Sequence, residues 1–174
     1  MNPSWGIATD KGNWGKHVCF ILQGYKIIKT MKKIETSIMI KATIEQVWQV
    51  LADFKTYPVW SPTIKSFEQE PVLGQRCSVM LEQPDGFKIK MNPRFLRIDS
   101  NRELRWKGKL FVPGIFDGEH YFTLEQMEEG QVRLIQGELF SGLLIPFCGK
   151  LLLSTRQGFE LFNAALKQRV ELSC

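Results

Sequence analysis

Between residues 65 and 141 the chain is cut into short apolar-rich runs by tight turns. The turns are Pro71-Val72-Leu73-Gly74, Pro84-Asp85-Gly86, Ser100-Asn101-Arg102, Pro113-Gly114 and Glu128-Glu129-Gly130. Gly, Pro, Asn and Asp supply the backbone angles such turns need. Strands joined this tightly must be antiparallel neighbours, because a parallel crossover needs a dozen or more residues. The runs predict strands over 65–70, 76–82, 87–99, 103–110, 116–127 and 131–141, with Pro93 marking a bulge or bend in the long run over 87–99.

The flanks of this meander complete the fold class. Residues 34–41 alternate and are rich in Ile, which predicts one more strand. Thr43-Ile44-Glu45-Gln46 reads as a capping box. Val47, Val50, Leu51 and Phe54 then follow at helical spacing, giving a helix over 44–54. The Tyr57–Pro62 segment, with two prolines, allows at most a second short helix. At the other end, Leu151, Thr155, Phe159, Phe162 and Leu166 form one stripe of a helix over 148–171. Gly158 within it implies close packing. The expected architecture is α+β: a curved antiparallel sheet of about seven strands wrapped around a long C-terminal helix, with two short helices after the first strand.

Charge divides the chain in two. Residues 1–33 hold six lysines against one acid, a net +5, and the 17 basic and 17 acidic side chains beyond them cancel. We therefore expect a basic leader over 1–30, a misassigned start or a membrane-touching arm, ahead of one domain over 31–174. A neutral body argues against a nucleic-acid surface. Lys88, Lys90, Arg94 and Arg97 read as solvated charge. Four scattered cysteines (Cys19, Cys77, Cys148, Cys174) and two histidines (His17, His120) form no metal or redox motif. We expect reduced thiols, a cytoplasmic setting, no metal and no cofactor. No apolar run approaches the ~20 residues of a membrane span.

The hairpin of 116–127 and 131–141 carries the candidate site. A three-residue loop with Gly130 left-handed sets Met127 opposite Gln131. His120 then faces Glu138, Phe122 faces Gln136, Gly118 faces Phe140 and Leu124 faces Leu134. The apolar members make this the inner face, so His120, Gln136 and Glu138 point inward. The residues leave three readings open: a paired polar group fixing register, a polar end of a cavity that orients a ligand, or general acid–base catalysis with His120 as base. Trp106 and Gly108 share the inner face with Leu104 and Leu110. Gly108 would leave room where a side chain would fill a cavity, and Trp60 is placed as a lid.

Several of these segments together are similar to a known superfamily. They are Ala42-Thr43-Ile44-Glu45-Gln46-Val47-Trp48 running into Asp53-Phe54 and Tyr57–Pro62; Glu103–Gly108; Phe116-Asp117-Gly118-Glu119-His120-Tyr121-Phe122; Glu138–Leu144; and the Phe159–Leu166 helix. In this order, over about residues 34–172, the chain resembles the START-like (SRPBCC, helix-grip) superfamily that includes Bet v 1-type proteins, and within it the polyketide cyclase/dehydrase-type bacterial branch. The resemblance implies a cavity between sheet and C-terminal helix that takes a lipid, isoprenoid, polyketide or aromatic ligand. It does not imply chemistry. On this reading Trp60, Trp106, Phe116, Phe122, Phe140, Phe159 and Phe162 form the walls, Gly108, Leu151 and Thr155 complete them, and His120, Gln136 and Glu138 are the polar anchor. A cyclase or dehydratase using His120 and Glu138, or a protein-interaction module, are the alternatives.

Overall fold

A strand that alternates from residue 33 to residue 40 opens the fold. β1 (Thr30–Ile40) turns Ile34, Thr36, Ile38 and Ile40 to one face and Lys33, Glu35, Ser37 and Met39 to the other. The computed structural model describes residues 30–110, 113–128 and 130–172. Of the expected leader over 1–30, residues 1–29, with His17 and Cys19, lie outside the described residues, as do Cys174 and the Leu110 side chain.

Thr43 caps α1 (Ile44–Ala52) as its sequence predicts. Its hydroxyl accepts from Gln46 N at 3.3 Å and Gln46 Oε1 accepts from Thr43 N at 2.8 Å. Val47 and Leu51 are the buried face. The helix stops two residues short of the expected Phe54. A single turn, α2 (Tyr57–Trp60), follows with Pro58 in its first positions, where a missing N–H does no harm. The Tyr57 hydroxyl donates to Leu51 O at 2.6 Å and ties the two helices together.

The meander then forms two sheets rather than one. β2 (Ile64–Phe67), β3 (Val79–Glu82) and β4 (Lys88–Met91) make a small antiparallel sheet. β5 (Arg94–Asp99), β6 (Glu103–Leu110), β7 (Phe116–Gln126) and β8 (Val132–Gly142) join β1 in a five-stranded sheet of order β1-β8-β7-β6-β5. The expectation of one strand over 87–99 is therefore corrected, and eight strands replace about seven. Pro93 has no N–H to give a ladder and a fixed φ, so the chain leaves the small sheet at Met91 and enters the large one at Arg94. Hydrogen bonds from Cys77 N to Pro93 O (3.1 Å) and from Phe95 N to Gln75 O (2.9 Å) stitch the sheets at this corner. Lys88, Lys90 and Arg97 are exposed, the lysines pairing with Glu82 and Glu68 and the arginine with Asp99 and the buried Glu103.

A 3₁₀ turn (Ile145–Phe147) not foreseen in the sequence leads into α3 (Gly149–Glu171). Its C-terminal half is anchored to β1. Asn163 Nδ2 donates to Thr36 Oγ1 (3.0 Å), Lys167 Nζ to Met39 O (2.8 Å) and Lys41 N to Glu171 Oε1 (2.8 Å). No helix among the described residues is long and apolar enough to cross a membrane.

The apolar interior is divided. The larger cluster contains Leu51, Tyr57, Phe95, Leu104, Phe122, Leu134, Phe162 and Leu166. A smaller one gathers Phe116, Phe140 and Ile145, with Ile34, Cys148 and Leu151 against it. Each large side chain fully buried contributes roughly 1.5–3 kcal/mol. The two clusters do not merge.

A cavity with a polar corner as candidate functional site

The gap between the clusters is a cavity. Its wall draws Ile64, Leu81, Met91 and Trp106 from the larger cluster and Phe116, Phe140 and Leu151 from the smaller. The centre of a water molecule can occupy about 90 Å³ of it, space for on the order of six waters or one small ring-bearing molecule. α3 forms one side by presenting Leu151, Thr155, Gly158 and Phe159 at helical spacing.

The polar corner is built by strand register. β7 and β8 pair His120 with Glu138, Phe122 with Gln136, Gly118 with Phe140 and Leu124 with Leu134, the pairing expected from the Gly130 turn. Met127 N donates to Gln131 O at 3.1 Å, and Gly130 has φ 71°. β6 sets Trp106 directly across from His120 on the other side. The imidazole therefore lies against the Trp106 indole, with Phe122 and Phe159 edge-on at 4.8 and 5.0 Å between ring centres. Its Nδ1 faces Glu138 Oε2 at 3.5 Å, and its Nε2 is 3.3 Å from Gln136 Nε2. His120 is 7% exposed and Gln136 1%. A buried imidazole beside a carboxylate is tolerable only in such a pairing.

Two glycines make room. The Glu138 side chain leans over Gly118, and a Cβ there would collide with its carboxylate oxygen. Over Gly108 the space is taken by the end of the Met91 side chain, 2.7 Å from where a Cβ would sit. Gly108 thus admits Met91 from the small sheet, and its space is not empty.

Ten of the thirteen candidate residues meet on this wall: Trp106, Gly108, Phe116, His120, Gln136, Glu138, Phe140, Leu151, Thr155 and Phe159. Three do not. Phe122 and Phe162 are fully buried in the larger cluster, with ring centres 5.1 Å apart. Trp60 packs on Tyr57 and Phe162 at 4.8 and 5.2 Å. The lid expected of Trp60 is not part of the cavity wall. Sequence reasoning missed Leu81, Ile89 and Met91, which close the cavity from the small sheet. Their signal was alternation on two strands whose inner face depended on recognising the break at Pro93. It also missed Asn163, 1% exposed, which lies four residues after Phe159 on the buried face of α3.

Among the described residues, no group of three His, Cys, Asp or Glu side chains is placed to hold a metal ion. Cys77 and Cys148 are unpaired thiols. The corner can orient a polar group of a ligand, and an imidazole with a carboxylate behind it has the parts of a general base.

Similarities to known proteins follow the same fold. The chain has a TM-score of 0.68 to the Zhui aromatase/cyclase from Streptomyces sp. R1128, at 16% identity over 82% of this chain and 94% of that one. To a norcoclaurine synthase from Thalictrum, solved as a point mutant with a transition state analogue, the TM-score is 0.67, at 12% identity over 85% and 99%. To a START superfamily protein from Mycobacterium smegmatis it is 0.62, at 18% identity over 82% and 99%. No curated protein matches the sequence. At such identities these structures speak for the fold alone. The family model for polyketide cyclase/dehydrase and lipid transport proteins matches residues 31–171, from the second residue of β1 to the last of α3. Coverage on that scale, with the helix-grip architecture in place, makes the chain a member of the polyketide cyclase/dehydrase and lipid transport family.

Proposed function

We propose that the protein binds a hydrophobic or amphipathic small molecule in the cavity between the sheet and α3. The observation that carries this reading is the divided core: two apolar clusters are held apart by a space whose wall is mostly apolar, with His120, Gln136 and Glu138 gathered at one corner. A close-packed domain of this size would fill that space with side chains. Family membership supports the same class of ligand. The buried free thiol of Cys77 fits a cytoplasmic setting, which belongs to this proposal.

Native mass spectrometry of the full chain tests the reading. A retained small molecule, or uptake of an added apolar probe, is expected for the native protein. It should be lost in Thr155→Phe, which fills the cavity from α3. Absence of any retained or added ligand in the native protein would sink the proposal.

A second reading rests on one specific observation, the His120 Nδ1 to Glu138 Oε2 approach of 3.5 Å on the cavity wall. There His120 would act as general base on a bound carbonyl compound, as in a cyclase or dehydratase. The test that separates it from binding closes the Discussion.

A further inference from the structure

The polar corner has a direction. Nδ1 of His120 faces a carboxylate, and a bare nitrogen lone pair would be repelled there, so the proton of the neutral imidazole sits on Nδ1. Nε2 is then an acceptor. The Gln136 amide nitrogen, 3.3 Å away, can only donate, and it donates to Nε2. The relay therefore runs from the Gln136 amide through His120 to Glu138.

This direction engages the Nδ1 proton and one of the two Gln136 N–H groups, and it leaves acceptors open. Gln136 Oε1 is shielded from solvent and has no hydrogen-bond partner among the described residues. A buried amide oxygen without a donor is costly. Glu138, an acceptor only, keeps lone pairs beyond the one turned to His120. Thr155 adds no donor, because its hydroxyl donates to Leu151 O at 2.8 Å and keeps only acceptor lone pairs. Lys109, the single Lys or Arg on the described wall, is solvent-exposed.

Building on the binding reading above, we infer that the ligand carries a hydroxyl group, alcohol or phenol, on an otherwise apolar skeleton, with the O–H directed to Gln136 and Glu138. A carboxylic acid is disfavoured twice. Ionised, it brings no donor, and it sets a second negative charge beside Glu138. The pair Gln136 and Glu138 thus selects among apolar ligands by the polar group they bear.

The test uses the full-length protein with naphthalene, 2-naphthol and 2-naphthoate, one skeleton with three polar ends, and reads affinity by calorimetry. The naphthol should bind about tenfold tighter than naphthalene, as one hydrogen bond to a buried acceptor allows, and 2-naphthoate should bind weaker than the naphthol by at least that factor. In Gln136→Leu the naphthol-to-naphthalene ratio should fall toward one. Equal binding of naphthalene and naphthol by the native protein overturns this inference and leaves the cavity reading standing. Tightest binding of 2-naphthoate overturns it too, and indicates the reversed amide with its N–H groups free. If none of the three binds, the cavity reading fails and this inference falls with it.

Discussion

The indole of Trp106 and the imidazole of His120 lie 4.6 Å apart, ring centre to ring centre, and within 13° of parallel. They are cross-strand partners on β6 and β7, so the stacking follows from register. Its consequence is orientation. With its face held against the indole, the imidazole can turn its nitrogens only in the plane, toward β8. The two polar residues waiting there are Glu138, directly opposite, and Gln136, two residues along on the same face. One aromatic contact thus aims both hydrogen-bonding edges of His120.

Phe159 and Phe162 are separated by less than one helical turn but meet different surroundings, and truncation should tell them apart. Phe162 is fully buried among Tyr57, Trp60 and Phe122. Phe162→Ala should cost about 3–5 kcal/mol, the range for a large side chain removed from close packing. Phe159, at 7% exposure, borders the cavity and already lacks neighbours on that side. Phe159→Ala should cost distinctly less in denaturant melts. Equal losses would mean that the cavity is closed in solution.

These two residues also show what could be read from the sequence. Periodicity put both on the apolar stripe of α3, and alternation put Phe122 and His120 on one face of β7. The Gly130 turn fixed which residues oppose which, because a loop of known length sets register. Facing inward, however, is not depth. Phe122 and Phe140 share a face, yet one fills core and the other borders space. That difference depends on where α3 is anchored, through Asn163 to Thr36 and Lys167 to Met39, contacts more than a hundred residues apart in sequence. The small sheet escaped for a related reason. Pro93 signalled a local break, but the partner chosen on each side of it is a property of the assembled chain.

Tyr57 gives the fold an alkaline limit. Its phenol is fully buried, donates to Leu51 O, and is pushed far above the ordinary value of 10.0, first by burial and then by the Asp53 charge. A raised folded-state pKa means stability is fully present below pH 10 and declines above it, where the unfolded chain ionises a phenol that the folded chain keeps protonated. The slope from this group is at most about 1.4 kcal/mol per pH unit. Melts on either side of pH 10 should show the decline, and Tyr57→Phe should reduce it. The variant should also lose about 1–3 kcal/mol at neutral pH, since Leu51 O is left without its donor. An unchanged alkaline slope would show that Tyr57 ionises in the folded state.

A shortened chain beginning at Met31 should melt within a few degrees of the full sequence. It keeps every pairing of β1 with β8 except Thr30 with Gly142, and every anchor of α3. The test concerns the basic segment. A large fall in melting temperature would show that residues 1–30 pack on the domain, and the expectation of a dispensable leader would be abandoned.

The pairing of His120 with Glu138 separates a binding corner from a catalytic one. Glu138→Gln removes the charge and keeps the shape, and an amide oxygen can still accept from His120. A structural or ligand-orienting pair should then lose roughly 1–3 kcal/mol in stability or affinity. Replacing both residues, as His120→Phe with Glu138→Leu, exchanges two desolvated polar groups for apolar packing. Such exchanges are often neutral or stabilising, and the double variant should melt at or above the native temperature. Gln136 then loses its acceptor, so a third change, Gln136→Leu, should add to the gain. On the binding reading, the double variant still takes up naphthalene. On the catalytic reading, turnover of a cyclisable carbonyl substrate falls by roughly 10²–10⁴ when the base is removed, whatever happens to stability. The deciding comparison is melting temperature, naphthalene affinity and turnover in one double variant. A stable variant that keeps its affinity and shows no drop in any detectable turnover removes His120 from catalysis. One that binds as before but loses turnover by two orders of magnitude or more assigns His120 as the base.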